Sequence, residues 1–431
     1  MDVAVVGAGV SGLTCAFRLM QAGNQVTVYE RERQVGGRMS TVEAGGFHVD
    51  VGTNLLLDNY DRLKALCLEL GIGKEFFPFV ASEGGVLRDG RLTSFDPASL
   101  GDILRYRGLS RLARLRVLAY LLRSWPSRHD LDFFDLSEGE DRLDTVDAYT
   151  GTVARCGREV AEYLVDPFVR TFHFHSARAM SMKYFDALAA LFMARGGFVA
   201  HGFRGYMSAL PRALAARLTV KRARPVDAVR PTENGVEVVR GGTVTLHDAV
   251  VLALPAPGAH AVLADPTPGQ ERILSTTRYS STLVCSYRCP LSVAGDFEGI
   301  WVPYRESRII CDCANEGCKG SRDAQDCVLT MCVHGEATRD LRGQSDGDVL
   351  RVVEAEWVRL FSAYRGHLTG IHVHRWAHAL PIYGVGQVTQ VKRFWAEGQG
   401  QNRVWLCGDY LNQPWVEGSI RCGEKVARAI G

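Results

Sequence analysis

One segment near the start, VAVVGAGVSGLTCAFRL from Val3 to Leu19, restricts the fold of this chain more than any other. Val3 to Val6 is a short apolar run suited to a buried parallel strand. Gly7, Gly9 and Gly12 follow at G-x-G-x-x-G spacing, with Val10 and Ser11 inside the loop. Leu13 to Ala22 reads as a helix ended by Gly23 and Asn24, and Gln25 to Tyr29 as a second strand with Glu30 at its end. Strand, glycine turn, helix and strand together are the setting in which such a loop cradles a dinucleotide. Gly7 allows the tight turn, Gly9 lets backbone approach a pyrophosphate, and Gly12 lets helix and strand pack closely. The helix N-terminus offers unpaired N–H groups to the phosphates, with Ser11 on the phosphate side. Glu30 stands where a ribose 2′-hydroxyl needs an acceptor, and it would repel a 2′-phosphate, which disfavours NADP.

The next residues separate NAD from FAD. Glu30-Arg31-Glu32-Arg33-Gln34-Val35-Gly36-Gly37-Arg38 follows the second strand directly. Gly36-Gly37 lets backbone pass close to a second part of a cofactor, and Arg38 offers a charge-assisted contact to a phosphate. This run resembles the extended FAD fingerprint of flavin amine oxidases, protoporphyrinogen oxidases and phytoene desaturases. The strand Phe47–Thr53, with Gly52 and Thr53 at its end, is similar to the strand end that lies near the flavin in those proteins. Val250–Leu263 resembles their "ALP" turn, and Arg403–Asp409 their buried strand ending in Gly-Asp. The resemblance implies an α/β chain with a Rossmann-like, interleaved FAD-binding domain of the GR2 type. It would be built from 1–60, 200–265 and 390–431, with a discontinuous α+β substrate domain from 61–199 and 266–389.

The same resemblance assigns roles. Gly7, Gly9, Val10, Ser11, Gly12, Glu30, Arg31, Gly36, Gly37, Arg38, Gly52 and Thr53 would bind FAD. Val226 would hold adenine through its backbone, and Gly408 and Asp409 the ribityl or phosphate region. Val416, Glu417 and Gly418 would lay N–H groups against the flavin ring, with Trp415 as a wall in front of it. Cys407 within a strand and Cys422 inside the last helix are poorly placed for attachment, so FAD is expected to be non-covalent. The string Arg375–Tyr383 is close to that of protoporphyrinogen-oxidase-like proteins and makes Tyr383 a substrate-side candidate. Amine oxidases carry a lysine before a "Y-x-x-P-F" turn. Matching Tyr287–Leu291 to that turn puts Thr282 at the lysine's place, and no lysine occurs between Arg272 and Leu291.

Several features point less sharply. In His173-Phe174-His175 the two histidines would share one face of a strand; His173 is a substrate-side candidate, and a cavity-lining or structural role is preferred to catalysis. Cys311, Cys313, Cys318, Cys327 and Cys332 start with a C-x-C pair rather than C-x2-C. They read as small apolar residues on two strands, with no metal. Residues 100–125 place Leu112, Leu115, Leu118 and Leu122 at helical spacing and Arg107, Arg111 and Arg114 on another face. Such a helix is either a solvated domain face or a peripheral contact with an acidic membrane. A net charge of +2 gives no argument for a nucleic-acid partner. Twelve scattered cysteines fit a reducing compartment. With a strand beginning at residue 3 and no apolar run of 18 residues, the expected location is the cytoplasm.

The leading reading is an FAD-dependent oxidase or dehydrogenase. It would move a hydride from a C–H bond of a small, apolar or biosynthetic-intermediate substrate to the flavin, with oxygen or another electron acceptor restoring it. An imine-forming amine oxidase, a reduced-flavin isomerase and a non-catalytic FAD-binding protein stand as alternatives.

Overall fold

A computed structural model describes residues 1–79, 84–93, 100–124, 133–136, 144–194, 199–323 and 325–431. Five parallel strands form its first sheet, in the order Thr219–Lys221, Gln25–Tyr29, Asp2–Val6, Ala249–Leu252 and Val404–Leu406. Three distant stretches of chain therefore meet in one layer. The central strands read as unbroken apolar runs because helices cover them: Val3, Ala4, Val5, Val250 and Val251 are fully buried. The helix Val10–Gln21 begins three residues before the sequence suggested. Gly9 is its N-cap, its carbonyl accepting the Leu13 N–H at 2.9 Å, so the end of the glycine loop is already the first helical turn. The closing helix Val416–Ile430 packs on it through Gly423, whose added Cβ would stand 2.5 Å from the Ser11 carbonyl oxygen. An antiparallel meander, Ala228–Thr232, Gly235–Arg240 and Thr243–His247, leaves this sheet; its third strand was not read from the sequence.

A second, seven-stranded sheet runs Thr369–Trp376, Thr282–Pro290, Asp326–Val333, Ile310–Asn315, Gly299–Trp301, Gly85–Arg88 and Arg91–Thr93. Strand alternation gives it two faces. One face carries Leu283, Cys285, Tyr287, Leu329 and Met331, which form a separate apolar core with Trp357 of the helix Asp346–Leu360. On the other, His374, Val284, Cys332, Asp312, Trp301 and Val86 are successive cross-strand partners, forming one row from side to side. The cysteines take part in this packing: Cys313 and Cys327 join the core, and Cys311 and Cys332 pack with Val284. All twelve cysteines are free thiols.

The stretch 100–125 is two helices, Leu100–Arg105 and Arg111–Ser124, rather than one. Tyr106 and Leu109 turn into the core between them, and the Ser110 hydroxyl accepts the Ala113 N–H at 3.2 Å to start the second helix. The buried face is Ala113, Val117 and Leu121, while Leu112, Leu115 and Leu122 are exposed. The leucine spacing therefore picked the outward side. Among the described residues no helix is long and apolar enough to cross a membrane.

Candidate active site

A cavity of about 1660 Å³ opens at the C-terminal ends of the parallel strands and extends to the seven-stranded sheet. Such strand ends are where open α/β sheets bind ligands. Gly7, Gly9, Val10, Ser11, Glu30, Arg31, Gly36, Gly37, Arg38, Gly52, Thr53, Val226, Gly408 and Asp409 all line its first half.

Two glycines here carry a backbone requirement. Gly7 has φ +108° and Gly36 φ +118°, and a Cβ on Gly36 would lie 2.5 Å from the Met39 carbonyl oxygen. Gly36 donates its N–H to the Ala8 carbonyl at 2.8 Å, fastening the second glycine turn to the first. A Cβ on Gly9 would meet nothing within 4 Å, which leaves the floor open for a diphosphate. Gly12 does not line the cavity: a Cβ there would collide with the Gly7 carbonyl, so its role is helix–strand packing. Glu30 accepts the Ala8 N–H at 2.8 Å and the Glu32 N–H at 2.9 Å, which aims its carboxylate across the cavity edge.

Arg38 is tied down rather than free. It donates to Asp409 at 2.6 Å and to the Ala379 carbonyl at 2.8 Å. Asp409 is 2% exposed, and its Oδ1 has no hydrogen-bond partner. Burial pushes its carboxyl up, against the pull of Arg38. An unpaired buried acceptor lining a cavity is a costly feature that a ligand hydroxyl would relieve. Together with the open Gly9 floor, it makes this half fit an adenine dinucleotide bearing a ribityl chain.

At the other end, Trp415 caps the helix Val416–Ile430 and lines the cavity with its half-buried ring. Phe133 meets that ring edge-on at 5.5 Å, and Phe172 lies 5.9 Å away. Phe172 in turn meets Trp301 at 5.4 Å, continuing an aromatic wall onto the sheet. Thr282 lines the cavity too, its hydroxyl donating to the Val333 carbonyl at 2.9 Å. No lysine lines the cavity among the described residues.

Besides Gly12, four expected residues lie elsewhere. His173 ends the helix Asp166–His173, and Phe174 follows with φ +59°, so the His-Phe-His stretch is a helix terminus and not a strand. The His173 ring stacks behind Trp415 at 5.8 Å, 1% exposed. Burial, then the neighbouring His175, hold its pKa well below the usual histidine value. Tyr383 is 1% exposed, stacks on Tyr184 at 4.7 Å and donates to the Asp409 carbonyl at 2.7 Å. It supports the floor under Asp409 instead of touching the cavity. Glu417 turns its carboxylate onto the Arg62 and Leu63 N–H groups at 3.0 and 2.9 Å, closing the N-terminus of the helix Asp61–Glu69. Gly418 gives its N–H to Gln413 at 3.2 Å. Of the three residues after Trp415, only Val416 faces the cavity. The sequence reading also missed Asp312, Glu298 and Trp301, which line the second half. One acid inside the apolar strand RIICDCAN was the available signal.

Residues 10–431 match the family of flavin containing amine oxidoreductases. Mitochondrial protoporphyrinogen oxidase of Nicotiana tabacum is 32% identical over 168 residues, 39% of this chain and 31% of its own. Phytoene dehydrogenase of Streptomyces griseus is 30% identical over 245 residues, 49% of this chain and 45% of its own. The matched region thus spans less than half the length of either relative. Cyclohexylamine oxidase from Brevibacterium oxydans IH-35A superposes with a TM-score of 0.76 at 18% identity, over 100% of this chain and 98% of that one, a likeness of fold alone.

Proposed function

We propose, from the premise that the chain belongs to the family of flavin containing amine oxidoreductases, that it binds FAD without a covalent bond and removes a hydride from a C–H bond of a small, largely apolar molecule. The observation that carries this reading is the unbroken cavity from Val226 and Glu30, past Gly9, to Trp415 and the seven-stranded sheet. Bound FAD supplies the two-electron acceptor. The chain supplies the rest. Gly9 and the first helical turn admit the diphosphate, Glu30 accepts from the ribose, and Asp409, steadied by Arg38, offers its unpaired oxygen. Trp415, Phe172 and Trp301 exclude water and hold the reacting carbon close, where positioning is worth several kcal/mol. Cys407 and Cys422, the cysteines beside the Gly408-Asp409 turn, are fully buried and do not line the cavity, which supports a non-covalent flavin.

Thr282 in the place of the amine oxidases' lysine favours carbon–carbon over carbon–nitrogen oxidation. Imine formation is the second reading, favoured by the carboxylates of Asp312 and Glu298 in the substrate half. Arg105, the last residue of the helix Leu100–Arg105, and Tyr106 after it line the cavity. Leu112, Leu115 and Leu122 beside Arg111, Arg116 and Arg123 would suit an acidic lipid surface delivering an apolar substrate there. The decisive experiment is anaerobic bleaching of the purified yellow protein with candidate metabolites, followed by readmission of oxygen or a quinone. Acid precipitation should release the colour into the supernatant. A colourless protein that takes up no FAD, or one that no hydride donor bleaches, defeats the proposal.

A further inference from the structure

Two carboxylates and one ammonium are buried together beside the cavity. Glu316 and Lys319 belong to the short helical turn Glu316–Lys319, which follows the strand Ile310–Asn315 of the second sheet. Asp50 ends the strand Phe47–Asp50, just before Gly52, Thr53 and Asn54, which line the cavity. Glu316 and Asp50 are 1% exposed and Lys319 6%. The ammonium has three donors and three partners: the Asp50 carboxylate at 3.3 Å, the Asn54 carbonyl at 2.9 Å, and Glu316. Burial opposes its charge, but Glu316 and Asp50 outweigh burial and hold its pKa above the usual lysine value. The other Asp50 oxygen accepts the Thr41 hydroxyl at 2.6 Å and the Met207 N–H at 3.2 Å.

A buried ion pair adds little net stability, because desolvation offsets most of the attraction; its best-attested use is to fix one arrangement of the chain. Here the arrangement is that of residues 51–54. Gly52 lies against Arg38: an added Cβ would stand 2.1 Å from the Arg38 carbonyl oxygen, which also accepts the Thr53 N–H at 2.9 Å. The Trp376 indole, at the end of the strand Thr369–Trp376, donates to the Val51 carbonyl. Lys319 holds the far end, at Asn54, and does not itself line the cavity. The segment is thus pinned by Arg38 on one side and by two residues of the second sheet and its connections on the other. We infer that Lys319 is a positioning residue. Through the Asn54 carbonyl and Asp50 it sets Gly52–Asn54 against the bound cofactor, and so registers the flavin's seat to the sheet that floors the substrate half. The inference rests on the reading of this cavity as a flavin site.

The test titrates FAD into folded apoprotein, read by quenching of flavin fluorescence and by the visible circular dichroism of the bound flavin, with urea unfolding of the same samples. The double variant Lys319→Met/Glu316→Gln removes the ammonium together with one carboxylate, so the formal charge of the cluster is unchanged. Glu316→Gln alone keeps Lys319 on Asn54 and controls for loosening of the cluster. The double variant is expected to bind FAD at least about tenfold more weakly than the wild type, the scale of one lost hydrogen bond to a charged group, and to alter the dichroism of the flavin bands. Glu316→Gln is expected to keep both wild-type values while unfolding at lower urea. Wild-type affinity and dichroism in the double variant, or equal changes in both variants, would overturn the assignment. So would a double variant that does not fold, since the cluster would then be a folding core. Wild-type apoprotein that takes up no FAD would instead count against the flavin reading itself.

Discussion

Trp415→Ala separates a wall of the reaction site from a core residue, because the two roles predict opposite signatures. The ring is half-buried, one side against Phe133, Phe172 and His173 and the other facing the cavity. A fully enclosed tryptophan cut to alanine costs about 3–5 kcal/mol; with one face already open, the loss here should be about 2 kcal/mol. Flavin reduction by a true substrate should slow roughly tenfold to a thousandfold, or about 1.4–4 kcal/mol of barrier. The truncation has a second effect, because it uncovers His173. In the wild type that ring stays neutral, so below pH 6.5 the unfolded chain binds a proton that the folded chain refuses. Wild-type stability therefore falls as pH drops through 6.5, by up to about 2 kcal/mol at pH 5 from this group. Water reaching His173 in the variant relieves that penalty. The destabilisation caused by Trp415→Ala should accordingly be larger at pH 8 than at pH 5. His175, pushed down to about 4, and His334, pushed down to about 3, act alike in both proteins and cancel. Urea titrations of FAD-loaded protein at the two pH values, with stopped-flow reduction, provide the readings. An equal loss at both pH values would refute the account of His173. A normal reduction rate would refute the placement of Trp415.

Glu30→Ala should weaken FAD by about 1.5–3 kcal/mol, the scale of hydrogen bonds to a charged group, measured by titrating FAD into apoprotein. Gly9→Val should be worse, since its side chain would stand on the open diphosphate floor. Tyr383→Phe should lower stability by about 1 kcal/mol by unpairing the Asp409 carbonyl, with substrate KM unchanged; a large rise in KM would return Tyr383 to the substrate site. Asp312, with its carboxyl raised to about 7, makes folding less favourable as pH rises from about 4 to 7, because the unfolded chain loses that proton first. Asp312→Asn should therefore gain on the wild type across this window, on the order of 4 kcal/mol at its upper end, and parallel stability curves would contradict it.

The first half of the cavity was legible because its information is local. The turn at Gly7 and the pair Gly36-Gly37 meet a local backbone requirement, and the acid at Glu30 holds the backbone N–H groups of Ala8 and Glu32. The substrate half was not, because its floor is assembled by register. Val86, Val284, Trp301, Asp312, Cys332 and His374 become neighbours only through pairings across six strands, with a register irregularity between Ile310 and Asp312. The outward leucines at 112, 115 and 122 fail for a related reason. Periodicity gives a helix its stripes, but what the neighbours cover decides which stripe is buried. His173 was misread because two histidines with one residue between them fit a strand as well as a helix end closed by a left-handed Phe174.

The interleaving of the parallel sheet has a consequence for how the chain is made. Its central strand, Asp2–Val6, is made well before its neighbour Ala249–Leu252 and the outer strand Val404–Leu406. Asp409, Trp415 and the helix closing on Gly423 come after even those. A nascent chain must therefore carry an apolar strand with an unpaired edge until Ala249–Leu252 is made, and a cofactor arriving before then would find half a binding site. Translation speed and chaperone supply should govern the yield of yellow protein more than the final stability does. Slower expression at low temperature, with the flavin present in excess, is the condition this topology asks for.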